Sequence, residues 1–105
     1  MGFGGYGGNM QQIIKQAQMM QKKLQEAQAQ LAEAEVTGKA GGGMVEVVLK
    51  ANKTPVSVTI KPEAVDPDDV EMLEDMVLAA LNDAMEQADA ESQELLGPLG
   101  GAGLF

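Results

Sequence analysis

Apolar residues recur at alternating spacings of three and four through the first third of the chain. They occupy the a and d positions of about four heptads: Met10, Ile13, Ala17, Met20, Leu24, Ala27, Leu31 and Ala34. Good helix formers fill the positions between them, and Asn9 is a suitable N-cap. The pattern predicts a helix over residues 9–35.

Such a helix is too long for a chain of 105 residues to enclose. It would extend roughly 40 Å at about 1.5 Å per residue, whereas a compact domain of this size has a radius of gyration of about 13 Å. The helix must therefore project, pair with a second helix or dimerise. We expect the arm of a small dimeric interaction protein, with its a/d seam available for a coiled coil.

Beyond the first helix the apolar period changes from helical spacing to two. Residues 44–51 and 56–61 alternate apolar and polar side chains around Asn52-Lys53-Thr54, which predicts a hairpin. Residues 36–40 can add a short third strand. A second helix begins at Asp66-Pro67, with Asp66 as N-cap, and ends near Gly97. The predicted fold class is α+β, with two or three antiparallel strands between a long N-terminal and a long C-terminal helix.

Glycine-rich segments flank this pattern. We expect residues 1–8 and 98–105 to be flexible tails and residues 9–97 to be a single domain. All three aromatic residues of the chain lie in the two tails. The domain must therefore be built from smaller apolar side chains, and a second subunit would supply the burial that these lack.

The composition excludes most enzyme chemistry. The chain has no His and no Cys, so it lacks an imidazole base and a thiol nucleophile. The acids of the second helix, Asp69 and Asp83 among them, have the spacing of a solvated face and not of a calcium loop. We predict no catalytic activity, no cofactor and no metal site. We see no signal peptide or bilayer span, so we expect no membrane association and a cytoplasmic location.

The charges are unevenly distributed. Residues 1–61 hold all seven lysines and four acids, a balance of +3, while residues 62–105 hold twelve acids and no base, a balance of −12. Lys15, Lys22 and Lys23 form the only cluster of bases, opposite the a/d seam, and no acid precedes Glu26. They are the candidate phosphate contacts. The net charge of −9 repels DNA over about 10 Å, the Debye length at 0.1 M salt.

Four segments together resemble the YbaB/EbfC family of bacterial nucleoid-associated proteins. They are IKQAQMMQKK at residues 14–23, VTG at 36–38 followed by GGG at 41–43, EMLED at 71–75 and LNDA at 81–84. The resemblance runs from about residue 10 to 96, in order and with matching spacing. This chain departs from it after Ala84, where MEQ stands at positions at which many relatives carry basic residues.

The resemblance implies an α+β homodimer in which the sheets of two subunits join and the long helices project like tweezers. It also implies a cytoplasmic, nucleoid-associated protein that binds double-stranded DNA. Lys15, Lys22 and Lys23 fall on the basic part of the projecting helix. We therefore expect DNA binding through phosphate contacts from the first helix, with little readout of bases.

A second reading stays open beside this one. Two heptad-like helices around a β segment also resemble prefoldin-type chaperones, so the chain could be a protein-interaction scaffold or holdase that binds no DNA. The methionines of both helices would suit adaptable apolar contacts: Met10, Met19, Met20, Met72, Met76 and Met85. The acidic second half could in either case recruit a basic protein partner.

Overall fold

Two long helices flank a three-stranded antiparallel sheet. The computed structural model describes residues 2–100 of the chain, with side chains described over residues 9–97. In chain order the elements are α1 (Gly2–Glu33), β1 (Glu35–Ala40), β2 (Val45–Lys50), β3 (Pro55–Ile60), a 3₁₀ turn (Pro62–Ala64) and α2 (Val70–Gly100). The strand order is β1-β2-β3. This confirms the predicted α+β class and includes the third strand.

The sheet has one apolar and one polar face, because side chains alternate along each strand. Val47 of the central strand lies between Gly38 of β1 and Val58 of β3. Val45, Val47 and Leu49 are at most 3 % exposed. Their face of the sheet packs against α2, and these residues form the core with Ala80 and Ala84.

Helix α2 packs so closely on the sheet that the backbones of the two elements are nearly in contact. Ala80 and Ala84 are fully buried. A Cβ atom added to Gly38 would overlap the Ala80 carbonyl oxygen and the Ala84 amide nitrogen, and it would lie 2.8 Å from the Ala84 Cβ atom. The absent side chain of Gly38 therefore sets the distance between β1 and α2.

Three consecutive glycines make the turn between β1 and β2. Gly41, Gly42 and Gly43 have φ angles of 61°, 69° and 92°, in the left-handed region that side chains disfavour. The turn is closed by hydrogen bonds from the Gly43 and Met44 amides to the carbonyls of Ala40 and Gly41, at 3.2 and 3.4 Å.

The turn between β2 and β3 holds the end of α1. The last carbonyl groups of a helix lack partners within it. Here the amide of Asn52 donates to the Leu31 carbonyl at 3.1 Å, and that of Ala51 donates to the Ala34 carbonyl at 2.8 Å. Lys53, beside them, pairs with Asp89 of α2 at 2.6 Å. The hairpin thus connects the base of α1 to α2.

Only the end of the predicted heptad seam packs within the chain. Ala27 and Leu31 are buried, and Leu24 is half-buried. Every side chain from residue 9 to residue 23 is exposed, and we call this segment the arm. The molecule is 82 Å long and 20 Å wide. The expected elongated shape is confirmed, and the seam of the arm has no partner within the described part of the chain.

The helix boundaries differ from those expected. Helix α1 begins at Gly2 and not at Asn9, although each glycine lowers helix propensity by about 1 kcal/mol. Helix α2 continues past Pro98 to Gly100, although proline cannot donate the backbone hydrogen bond of a helix. The predicted tails thus lie partly on helical backbone, and Met1 and residues 101–105 lie outside the described residues. Their flexibility stays a prediction.

The N-cap of α2 is Asp69 and not Asp66. The Asp69 Oδ1 atom accepts a hydrogen bond from the amide of Met72 at 3.2 Å. Asp66 instead begins a turn, accepting from the Asp68 amide at 2.9 Å through its side chain and from the Asp69 amide at 3.0 Å through its carbonyl. Pro67 has the φ angle that position i+1 of such a turn requires, which delays the helix by one turn.

Replacing Gly38 with Ala tests the close approach of α2. The new methyl group must displace the helix backbone, so we expect a loss of about 3 kcal/mol, at the upper end for overpacked core positions. Gly97→Ala is the matched control, because nothing lies within 4 Å of the added Cβ atom. It should be neutral or stabilise α2 by about 0.5–1 kcal/mol. Urea denaturation measures both; a Gly38→Ala protein as stable as the parent would contradict this packing.

Candidate nucleic-acid interface

The three candidate phosphate-binding lysines lie together on the arm. Lys15, Lys22 and Lys23 are all exposed. Lys15 and Lys22 are seven residues apart, so they share a helix face with an axial separation of about 10 Å. Lys23 is the next residue and widens that face. The first acid in α1 is Glu26, at the base of the arm. The arm therefore carries positive charge and no acid.

Two lysines elsewhere pair with acids. Lys53 and Asp89 form the 2.6 Å contact at the hairpin, and Lys39 lies 3.8 Å from Glu46 on the polar face of the sheet. Among the side chains described, over residues 9–97, no ion pair involves a lysine of the arm. Lys15, Lys22 and Lys23 are the clustered cations best placed to meet an external anion.

The acids of α2 do not all form a solvated face, which corrects the expectation from their spacing. Asp69 caps the helix. Asp83 accepts a hydrogen bond from the amide of Lys39 at 3.0 Å, and Gln87 donates one to the carbonyl of Thr37 at 2.7 Å. Residue type and spacing do not predict the roles of Asp83 and Gln87, since both β1 partners are backbone atoms. Glu71, Glu74, Asp75 and Glu86 are exposed as expected.

The third strand presents apolar side chains that nothing in the described chain covers. Val56, Val58 and Ile60 are 45 %, 57 % and 37 % exposed. Val58 and Ile60 pair with Val47 and Val45, so they belong to the face on which α2 packs. Helix α2 covers that face over β1 and β2 but not over β3. Between them lies an apolar groove of about 410 Å³, lined by Leu49, Val58, Val77 and Leu81 among others.

The arm is also apolar along one side. Its large apolar residues are 42–63 % exposed: Met10, Ile13, Ile14, Met19 and Met20. The arm thus combines a basic face with an uncovered apolar face.

Within the described residues no group of three or more His, Cys, Asp or Glu side chains is arranged to hold a metal ion. No helix in that part of the chain is both long and apolar enough to cross a bilayer.

A known protein family matches nearly the whole chain. The model of the YbaB/EbfC DNA-binding family matches residues 7–104. The chain belongs to this family, which confirms the resemblance seen in its sequence. The family is one of DNA-binding proteins and not of enzymes, as the composition predicted.

Curated relatives match over most of their length. Proteins named nucleoid-associated protein are 53 % identical in Agathobacter rectalis (97 % of this chain, 93 % of the relative) and 50 % identical in Acetivibrio thermocellus (99 % and 96 %). One from Mycobacterium tuberculosis is 52 % identical over 91 % of this chain and 72 % of the relative.

The fold also occurs in a solved structure. The crystal structure of an uncharacterized protein from Helicobacter pylori superposes with a TM-score of 0.74 at 22 % identity. The superposition covers 85 % of this chain and 94 % of that one. At this identity the likeness concerns the fold alone.

Proposed function

We propose that this chain is a homodimeric nucleoid-associated protein that binds double-stranded DNA through phosphate contacts from its two arms. The observation that carries the proposal is the cluster of Lys15, Lys22 and Lys23 on an exposed arm without acids, in a chain of the YbaB/EbfC DNA-binding family. Its relatives are named nucleoid-associated proteins, so we also propose a location in the cytoplasm, at the nucleoid.

The uncovered third strand supports the dimer. A sheet edge offers free N–H and C=O groups to another strand. In the described chain β3 pairs only with β2, and all six of its residues are exposed. A second copy paired along β3 would join two sheets and bring apolar side chains onto the groove beside Val58 and Leu81. Uncovered apolar surface of this kind marks an interaction site.

The geometry of the arm supports phosphate contacts. Lys15 and Lys22 are separated by about 10 Å along the helix, close to the axial rise of three phosphates on one DNA strand. Lysine ammonium groups bind phosphates as point charges and read no base sequence. Two arms would contribute six lysines, enough for a salt-sensitive and largely sequence-independent complex.

The acidic remainder of the chain constrains how DNA would approach. The net charge of −9 per chain repels DNA unless the acids lie further away than about one Debye length, 8–10 Å near physiological salt. DNA would therefore contact the arms along their length and stay away from the exposed acids of α2. That acidic surface would instead suit a basic protein partner.

A protein-interaction scaffold or prefoldin-like holdase is the second candidate. The observation that favours it is the apolar side of the arm, where Met10, Ile13 and Met19 are about 60 % exposed. Such side chains could hold unfolded clients without DNA. Particle size and client-aggregation assays separate the two readings, since a hexamer would favour the chaperone and a dimer the DNA-binding protein.

Val58→Asp tests the dimer. Pairing along β3 would bury this carboxylate without a partner, so we expect the dimer dissociation constant to rise about a hundredfold or more. Ser57→Asp is the matched control, because the side chain of Ser57 belongs to the polar face of the same strand. Sedimentation equilibrium should give about twice 11.0 kDa for the parent and the control, and a monomer for Val58→Asp. Equal dimerisation of all three proteins would exclude this edge.

Replacing the three arm lysines with Gln tests the DNA contact. A dimer would lose six charges, so the slope of log K against log salt should fall in magnitude by about 5, at about 0.9 per phosphate contact. Fluorescence anisotropy of a labelled duplex of about 30 base pairs measures the slope. Gln preserves helix propensity, and exposed positions change stability by less than about 0.5 kcal/mol.

The control replaces Lys39, Lys50 and Lys61 with Gln, which makes the same charge change on β1, on β2 and directly after β3. Its slope should change by less than about 1. An equal loss of binding in both triple variants would show that net charge and not the arm matters. Undiminished binding of the arm variant would mean that DNA uses another surface, and a parent protein that binds no DNA at low salt would favour the scaffold.

A further inference from the structure

The two edges of the sheet differ in how their outward backbone groups are bonded. In an antiparallel strand the N–H and C=O groups of one residue point to the same side, and successive residues alternate. Thr37 and Lys39 of β1 are two residues apart and bond to α2, so their groups point away from β2. These are the groups that an added strand would need at this edge.

Two side chains of α2 occupy one of these groups on each residue, the amide of Lys39 and the carbonyl of Thr37. The Asp83 Oδ2 atom accepts from the Lys39 amide at 3.0 Å, and the Gln87 Nε2 atom donates to the Thr37 carbonyl at 2.7 Å. Asp83 and Gln87 are one helical turn apart and also contact each other, with 3.3 Å between Nε2 and Oδ2. Because Ala84 packs closely against Gly38, the helix turn that holds Asp83 and Gln87 has a fixed position relative to β1.

The β3 edge has no such cover in the described chain. All six of its residues are exposed, and α2 packs on β1 and β2. A sheet that is open at both edges can add copies without limit, and such open-ended contacts lead to fibres. One open edge instead allows a closed pair. Two copies joined through β3 would have β1 at both outer edges, each covered by its own α2.

We propose that Asp83 and Gln87 close the β1 edge to strand addition and so confine the pairing of copies to β3. The size of the resulting assembly rests on the proposed dimer, but the closure of β1 does not. A purely structural role, in which these bonds only hold α2 on the sheet, would affect stability and leave the size of the particle unchanged.

The test is the double variant Asp83→Ala, Gln87→Ala in the full chain. Alanine keeps the helix propensity high and opens both backbone groups of β1. The matched control is Asn82→Ala, Glu86→Ala, which removes the same two chemical groups from exposed neighbouring positions of α2. Sedimentation velocity over a range of concentrations should show a mass that rises with concentration only for the β1-edge variant, by about twofold for the first added pairing.

A third substitution locates the new contact. Lys39→Pro removes the amide that strand pairing requires, and proline is tolerated on edge strands. Added to the double variant, it should return the particle to the size of the parent. Growth that persists would place the contact elsewhere and overturn the proposal, as would equal growth of the Asn82, Glu86 control.

A folded double variant with the size of the parent at every concentration would also overturn it. Far-UV circular dichroism checks the fold. Should the double variant not fold, Asp83→Leu, Gln87→Met, which keeps side chains of similar length and removes both hydrogen bonds to β1, gives the same test. The mass of the parent protein separately tests the β3 dimer, because a monomeric parent would overturn that dimer. If the parent is a monomer and the double variant forms a dimer, the closure of the β1 edge is still supported.

Discussion

The contact of α2 with the first two strands determines the rest of the structure. Gly38 has no side chain, and the two buried alanines above it are small, so helix and sheet backbones approach directly. A helix seated this close over β1 cannot also reach β3. The same placement that buries Val45 and Leu49 therefore leaves the third strand exposed and puts α2 side chains over the β1 edge.

The uneven distribution of charge along the chain affects binding only because the molecule is elongated. If both halves were mixed in one compact domain, the balance of −12 would outweigh the balance of +3 everywhere on its surface. The molecule is 82 Å long, many times the Debye length of about 10 Å at 0.1 M salt. Charges on the arm and charges near the start of α2 therefore act on different neighbours. A chain with a net charge of −9 can in this way present a basic surface.

Much of the fold could be predicted because its signals are local. The heptad spacing before Ala34 gave the first helix, and the alternation around Val47 and Val58 gave the strands. Helix ends were less predictable, because they depend on which group accepts a hydrogen bond from each free backbone N–H. Asp66 and Asp69 are equally good N-caps by residue type; the turn started by Asp66 and Pro67 leaves the role to Asp69. The glycines after Met1 predicted a flexible tail, yet the backbone continues as a helix through them.

By itself the sequence determined the element order, the family and the position of the three arm lysines, because each depends on residue type and spacing along one segment. Tertiary structure alone decided which apolar residues are covered. Leu31 and Met10 belong to one heptad seam, but only Leu31 packs within the chain. It also decided that Asp83 and Gln87 bond to β1. Their partners are backbone atoms more than forty residues away. A pattern of side chains along the sequence therefore cannot predict these hydrogen bonds.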